Sequence, residues 1–352
     1  MEAQLRVAIV GYGLSGAVFH APLVAATSGM RVATVVSASP ERAGRARQDI
    51  PGVEVLPTVD DLWRRASDHE LVVIASPTGT HLAVGLAALE AGLPLVVDKP
   101  LAAQGADARR LAAAAASRGL LLTVFHNRRW DGDTLTLQRL LREGATGEAV
   151  RFESRFERFR AEVRDDAWRE QVPAAGGGGV LLDLGSHVID QALHLFGPAR
   201  RLYGEVRAVR PGATVDDDAF IALEHTSGVV SHLWASSVAA VHGARVRLLG
   251  VAGGYEKHGL DIQEDALRAG MRPGDPAWGV DPPELWGRLV TTNGEQRVET
   301  ERGDWPRFYQ LTAEALRGGG PPPVDPQSAV AVVEAIDAAR DSARDGRLVE
   351  LG

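Results

Sequence analysis

The sequence predicts an α/β protein in two parts: an N-terminal doubly wound parallel sheet, then an α/β domain with a large, mostly antiparallel open sheet. Three observations carry this prediction. The first third alternates short, continuously apolar runs with helical segments; the middle of the chain changes to strict apolar–polar alternation; and the opening run leads into three closely spaced glycines followed by a helical pattern.

The apolar runs lie at 5–10, 32–36, 53–56, 71–75, 95–97 and 120–125. Unbroken hydrophobicity marks strands buried on both faces, hence a parallel sheet with helices on either side. Between the runs, "THLAVGLAALEAG" and "DARRLAAAAASRG" each end in glycine, as helices often do. After about residue 126 the texture differs. "EAVRFESRFERF" sets Val150, Phe152, Ser154 and Phe156 on one face and Arg151, Glu153, Arg155 and Glu157 on the other, the pattern of a strand with one packed and one polar side. "DDDAFIALEHTSGVVSHLWASSV" and "ARVRLLGVAGGYEKHG" continue as strands joined by short turns, and "RGGGPPPVDP" at 317–326 reads as a linker before a final helix at 327–344. The expected division is 1–125, then 126–325, then a C-terminal segment, 326–352, packing back on the first domain.

At 352 residues, 45% hydrophobic and 24% charged, the chain has room for two cores. The net charge is -8 and the basic residues are scattered, which leaves no electrostatic footprint for nucleic acid. There are no cysteines, so disulfides, thiolate nucleophiles and cysteine-bound zinc or iron–sulfur sites are excluded. A strand-like run begins within the first residues, with no room for a signal peptide, and every apolar run is interrupted before the roughly 20 residues of a membrane span. The expectation is a soluble, cytoplasmic protein with neither nucleic acid nor membrane as partner.

"VAIVGYGLSGAVFHAPL" places G-x-G-x-x-G directly after a strand and before a helix, at the start of a βαβ unit. In that context the glycines permit a tight turn and let backbone N–H groups and the helix N-terminus approach a pyrophosphate. Gly11, Tyr12, Gly13, Leu14, Ser15 and Gly16 form the expected dinucleotide cradle, and 1–125 the dinucleotide-binding domain. At the end of the second strand, where an acidic residue usually meets the ribose of NAD, the chain has Ser37, Ala38 and Ser39, followed by Arg42 and Arg45. No carboxylate repels a 2'-phosphate there, and hydroxyls and a guanidinium can bind one, so NADP is favoured over NAD. The alternative is that Arg42 and Arg45 only solvate a helix face.

"PLVVDKPLAA" sets Asp98, Lys99 and Pro100 beyond the carboxyl end of a strand, the edge where open α/β sheets bind ligands. A lysine there can donate to a substrate hydroxyl and stabilise the alkoxide as hydride leaves. In "GGGGVLLDLGSHVIDQALHLFG", Asp183 and His187 are four apart and share a face if 180–196 is helical. The carboxylate can then orient the imidazole, which takes the alcohol proton. A plain surface Asp–His pair is the competing reading. A metal site including His194 fits worst, because the spacing does not set three ligands side by side, and no metal is expected.

The glycine loop, "DKP" at a strand end and D-x-x-x-H in a glycine-preceded helix together resemble the Gfo/Idh/MocA oxidoreductases, across essentially the whole chain. "GYGLSGAVFHAPL", "VFHNRRWDGD", "DLGSHVIDQALHLFG" and "GLDIQEDALRAG" are similar to the family's NADP-dependent scyllo-inositol dehydrogenase branch. The resemblance implies a Rossmann domain and an α/β domain of 126–325 that binds substrate and pairs subunits through its open sheet, giving a homodimer or higher homo-oligomer. It implies a polyol or sugar as substrate, with Lys99, Asp183 and His187 matching the catalytic trio. It also nominates the loop of Ser76, Pro77, Thr78 and His81 on the nicotinamide side, together with Lys99 and Arg169 as cofactor contacts. Arg128, Trp130 and Trp168 would meet the substrate. Asp98 departs from the family's usual glutamate by one methylene. Rival readings are a non-catalytic nucleotide-binding regulator and a member with tightly held cofactor acting as a glycosidase or sugar oxidoreductase.

Overall fold

A computed structural model describes residues 4–352. The chain divides into two compact units that interleave along the sequence. The first runs through Asn127 and takes back 263–278 and 304–330; the second comprises 128–262, 279–303 and 331–352. The break after Asn127 lies two residues beyond the one expected at 125, but the expected block of 126–325 is not continuous.

Among the described residues the first unit holds a six-stranded sheet of β1 (Leu5–Val10), β2 (Met30–Val36), β3 (Glu54–Leu56), β4 (Leu71–Ile74), β5 (Leu95–Val97) and β6 (Leu122–Val124). All neighbours are parallel, in the order β3-β2-β1-β4-β5-β6. Every side chain of β4 and β5 is buried, which is why these strands read as unbroken apolar runs. The alanine-rich segments are the helices His81–Glu90 and Gly105–Arg118. The order reverses between β1 and β4, the point at which the loops after the strands diverge and leave room for a ligand.

The stretch expected to be a linker is instead anchored to this sheet. The Thr123 hydroxyl donates to Val324 O at 3.0 Å and accepts from Val324 N at 3.1 Å, and Val324 is buried. Ahead of it the helix Pro306–Leu316 packs Phe308 and Tyr309 around Phe125.

The second unit carries β7 (Ala149–Glu157), β8 (Ala199–Arg207), β9 (Asp218–His225), β10 (Val230–Ser236), β11 (Val246–Gly250), β12 (Gly253–Lys257), β13 (Gly287–Thr291), β14 (Gly294–Val298) and β15 (Val349–Glu350). They form one nine-stranded sheet, β14-β13-β12-β11-β7-β10-β9-β8-β15, antiparallel except where β7 meets β10. The alternation read in β7 holds for Phe152, Ser154 and Phe156, but Val150 is 50% exposed and Glu153, on the supposedly polar face, only 6%. The cause is position. β7 is the central strand, and Glu153 is flanked by Arg155 at 3.0 Å and Arg247 at 3.1 Å, whose stems cover it.

One face of this sheet packs on Gly132–Arg142, Ser186–Phe196 and Pro326–Asp345, joining Leu137, Ile189 and Ile336 to Phe152, Phe156 and Leu233 in one core. This corrects the expectation that the C-terminal helix returns to the first domain: from residue 331 on it belongs to the second, where Val332, Ala335, Ile336 and Ala339 supply an apolar stripe at helical spacing.

Candidate active site

In the first unit the cradle is built by three glycines with three different reasons. Gly11 follows β1 at φ +95°, and a Cβ there would lie 2.8 Å from Ala75 O; one on Gly16 would lie 2.2 Å from Gly11 O. Those two glycines serve the turn itself. Around Gly13 nothing stands within 4 Å, so its missing side chain leaves open space over the loop, as a diphosphate lying on the backbone requires. The chain then enters a π-turn, Ser15–His20, continued by the helix Ala21–Ala26. The Tyr12 ring is buried and its hydroxyl donates to Asp49 at 3.2 Å. Leu14 is 49% exposed.

Beyond β2, the Ser39 hydroxyl caps the helix Pro40–Asp49 by accepting from Arg42 N, and Ser37 N donates to Leu56 O. Arg45 is committed to Asp49 at 3.2 Å. Arg42 is exposed, and among the described residues its guanidinium has no ion pair.

The loop after β4 holds Ser76, Pro77 and the buried Thr78, with Ser76 and Thr80 hydroxyls 2.7 Å apart. His81 is buried. Its Nε2 lies 3.0 Å from Ser76 O and its Nδ1 3.0 Å from Pro100 O, so the ring ties this loop to the turn that carries Lys99. Carbonyls only accept, so both bonds form together only in the imidazolium. Burial pushes His81 below the usual histidine range, against the pull of Asp98 and these carbonyls.

Asp98, at 8% exposure, turns its short side chain back on the main chain, where Oδ1 accepts from Lys99 N at 2.7 Å. Burial pushes this carboxyl up, but His20, Lys99, Ser15 and His81 outweigh it and hold it below the usual carboxylate range. Sequence reasoning passed over His20, which nothing but its place in the glycine-loop helix could have flagged. Its Nδ1 lies 2.6 Å from the Tyr309 hydroxyl and its ring 4.4 Å from that of Phe125. Burial lowers its pKa to about 4, against the opposing pull of Asp98. The fold therefore holds His20 neutral, while the unfolded chain protonates it below about pH 6.5. Stability supplied by this group is complete above pH 6.5 and lost as the pH falls toward 4, amounting to roughly 3 kcal/mol. Urea unfolding between pH 4 and 7 should show this slope and His20→Gln should flatten it; equal slopes would refute the assignment.

In the second unit, the predicted helix over 180–196 starts as a π-turn, Leu181–Gly185, before the α-helix Ser186–Phe196. Asp183 and His187 straddle the change of helix type. The Asp183 carboxylate meets Arg169 Nε at 3.3 Å, so a guanidinium shares the group expected to orient the imidazole. Arg169 also stacks on Trp168, with Cζ 4.5 Å from the ring. His187 is buried with its ring 5.6 Å from Phe156, and Arg128 lies over the same phenyl ring at 4.6 Å. Arg128 donates to Asp131 Oδ2 at 3.1 Å with both side chains buried, so much of its donor capacity is spent inside the protein. Trp130 and Trp168 are half-buried rather than core residues. His194 is engaged with Gln138 at 2.8 Å.

Behind these side chains lies a polar layer that the sequence did not disclose. Arg245 is buried and donates to Ser154 Oγ at 2.6 Å, Arg155 O at 3.1 Å and Gln191 Oε1 at 2.9 Å, with Asp133 at 3.5 Å. Gln191 in turn donates to Thr134 at 2.8 Å.

A glycine-loop cradle at the reversal of a parallel sheet, joined to a second α/β unit bearing a carboxylate and an imidazole on one helix, defines a two-domain dinucleotide-binding oxidoreductase fold. Residues 5–126 match the oxidoreductase family's NAD-binding Rossmann fold, and 138–351 match its C-terminal alpha/beta domain. The chain belongs to the Gfo/Idh/MocA oxidoreductase family. It is 35% identical over 351 residues to scyllo-inositol 2-dehydrogenase (NADP(+)) IolW of Bacillus subtilis, covering 99% of this chain and 96% of that one. It is 41% identical over 348 residues to the uncharacterized oxidoreductase YdgJ of Escherichia coli, covering 98% of each. The solved structure of Bacillus subtilis yvaA superposes with a TM-score of 0.93 at 34% identity, covering 99% of both chains. The Rossmann domain supports a nicotinamide cofactor. Among the described residues no helix is long and apolar enough to cross a membrane.

Proposed function

We propose that the protein is an NADP-dependent dehydrogenase of a secondary alcohol on a cyclic polyol or sugar, inositol-like in shape. When bound, the nicotinamide supplies the hydride acceptor. Lys99 donates to the substrate oxygen and steadies the developing alkoxide, and His187 removes the hydroxyl proton. Asp183 orients His187 or holds a neighbouring hydroxyl, and its contact with Arg169 at 3.3 Å fixes the carboxylate's place for either task. Arg128, Trp130 and Trp168 contact the substrate, while the glycine loop, Ser37, Ser39, Arg42, the loop from Ser76 and Arg169 serve the cofactor. The observation that carries the reading is the convergence of the open space at Gly13, the Ser76 loop and the Lys99 turn at the carboxyl ends of β1, β4 and β5.

The face of the second sheet that alternates with its core residues carries Phe220, His232 and Trp234 as an aromatic row. This suits association with a second copy of the chain, and a homo-oligomer is part of the proposal. The test of activity is a panel of polyols and sugars with NADP and with NAD, followed by absorbance of the reduced cofactor. Because Arg42 is exposed and uncommitted, Arg42→Ala should lower kcat/KM for NADP by about 10-fold or more and leave that for NAD nearly unchanged. Equal losses with both cofactors would make Arg42 structural, and a wild-type preference for NAD would overturn the NADP assignment.

A further inference from the structure

Between the end of β7 and the helix of Asp183, the chain follows a strap, 158–179, whose one α-helical stretch is the single turn Trp168–Gln171. From 158 to 176 no residue of the strap is buried, so an apolar core does not fix its pose. Yet it has to place Arg169 within 3.3 Å of Asp183. Polar contacts centred on Glu170 supply the order. This carboxylate accepts from the Arg164 backbone N–H at 3.2 Å, and Arg160, Arg164 and Arg210 stand at 3.4, 3.5 and 3.0 Å.

Of these cations only Arg210 is buried. It is held in turn, donating from Nε to Asp217 at 2.9 Å and from Nη1 to Glu162 O, within the strap, at 2.8 Å. Asp217 also accepts from the Val209 and Arg210 backbone N–H groups at 2.8 and 3.1 Å, so its position is fixed by the main chain. Its neighbour Asp216 accepts from Leu181 N at 2.7 Å, in the π-turn of Asp183, while its own carbonyl receives Val180 N at 2.8 Å. Two adjacent aspartates are thus the common base of two arms. Asp216 holds the turn that bears Asp183, and Asp217, through Arg210 and Glu170, holds the turn that bears Arg169. Successive residues of a helical turn point about 100° apart, so pinning Glu170 to Arg210 aims Arg169 elsewhere.

We infer that Glu170 and Arg210 are positioning residues that set the Arg169–Asp183 pair, and through it the contacts of Arg169 and Trp168 with the bound cofactor and substrate. The ligand side of this inference rests on the function proposed above.

The test uses full-length protein, with Glu170→Gln to remove the charge while keeping the shape, Arg210→Lys as a second variant, and Arg169→Ala alone and combined with each. NADPH affinity is read by fluorescence titration, and strap order by the rate of limited trypsin cleavage after Arg164. Losing a charge-assisted hydrogen bond in such a chain should weaken NADPH binding by about tenfold and speed cleavage by a similar factor. In the Arg169→Ala background the Glu170→Gln and Arg210→Lys effects on affinity should vanish, because the relay then has nothing to position. Wild-type affinity in both variants, or losses that multiply independently of Arg169→Ala, would overturn the inference. Should no nucleotide bind even the wild-type protein, the proposed function fails, and the trypsin rates alone decide: unchanged cleavage then overturns the relay and faster cleavage upholds it.

Discussion

Lys99→Ala and His187→Ala should each slow turnover severely while most nucleotide affinity is retained. Removal of a positioned general base costs about 10² to 10⁴ in rate, and removal of a preorganised donor to a developing alkoxide costs about 10² to 10³. In the proposed function the glycine loop and the residues beyond β2 carry most of the cofactor's contacts, so a loss confined largely to kcat is the signature of lost chemistry rather than lost binding. His187 is buried beside Phe156, and half-buried Lys99 sits on a turn whose backbone is held by Asp98 and His81. Asp183→Asn should fall between wild type and His187→Ala if Asp183 orients the imidazole, because the amide preserves shape but gives up the charge, which Arg169 also meets. The measurement is kcat for the three variants with NADPH titration alongside. Near wild-type kcat in His187→Ala would mean that the proton leaves by another route, and a protein that binds nucleotide but turns over no alcohol would be a regulator.

What was legible in the sequence followed the range of the interaction involved. Whether β4 and β5 are buried on both faces is written in their own residues, and so is a glycine loop between a strand and a helix. The return of 263–278 and 304–330 to the first unit is a property of tertiary packing, and no local composition records it. Helical spacing set Asp183 and His187 four residues apart on one expected face, but in the structure they straddle a change of helix type and Asp183 meets Arg169 at 3.3 Å, brought in by a strap without periodicity. The π-turns at Ser15–His20 and Leu181–Gly185 were also invisible, since a pattern of apolar residues does not distinguish one inserted residue in a turn. Arginines mislead most. A sequence offers Arg129, Arg210 and Arg245 only as scattered basic residues, and only the fold shows that they are buried against Asp190, Asp217 and Asp133.

The burial of those arginines makes stability depend on them in a sharply asymmetric way, and Arg129 is the clearest case. It lies in the turn Asn127–Trp130, between the two residues nominated for substrate, and reaches Asp190 on the helix that carries His187. Nε stands 3.2 and 3.0 Å from the two carboxylate oxygens and Nη2 2.6 Å from one, with the side chains 9% and 2% exposed. Deleting one partner strands a desolvated charge, so Arg129→Met or Asp190→Leu alone should destabilise the second unit by about 3–5 kcal/mol. Deleting both removes the stranded charge along with the pair, so Arg129→Met with Asp190→Leu should recover most of that loss. The pair would then matter less for net stability than for fixing the turn of Arg128 and Trp130 against the helix of His187, and the double variant should fold well yet bind substrate more weakly. Urea unfolding of the three variants, read on the transition of the second unit, decides the point. A double variant whose loss equals the sum of the single losses would show that the two side chains stabilise the fold independently rather than as an ion pair.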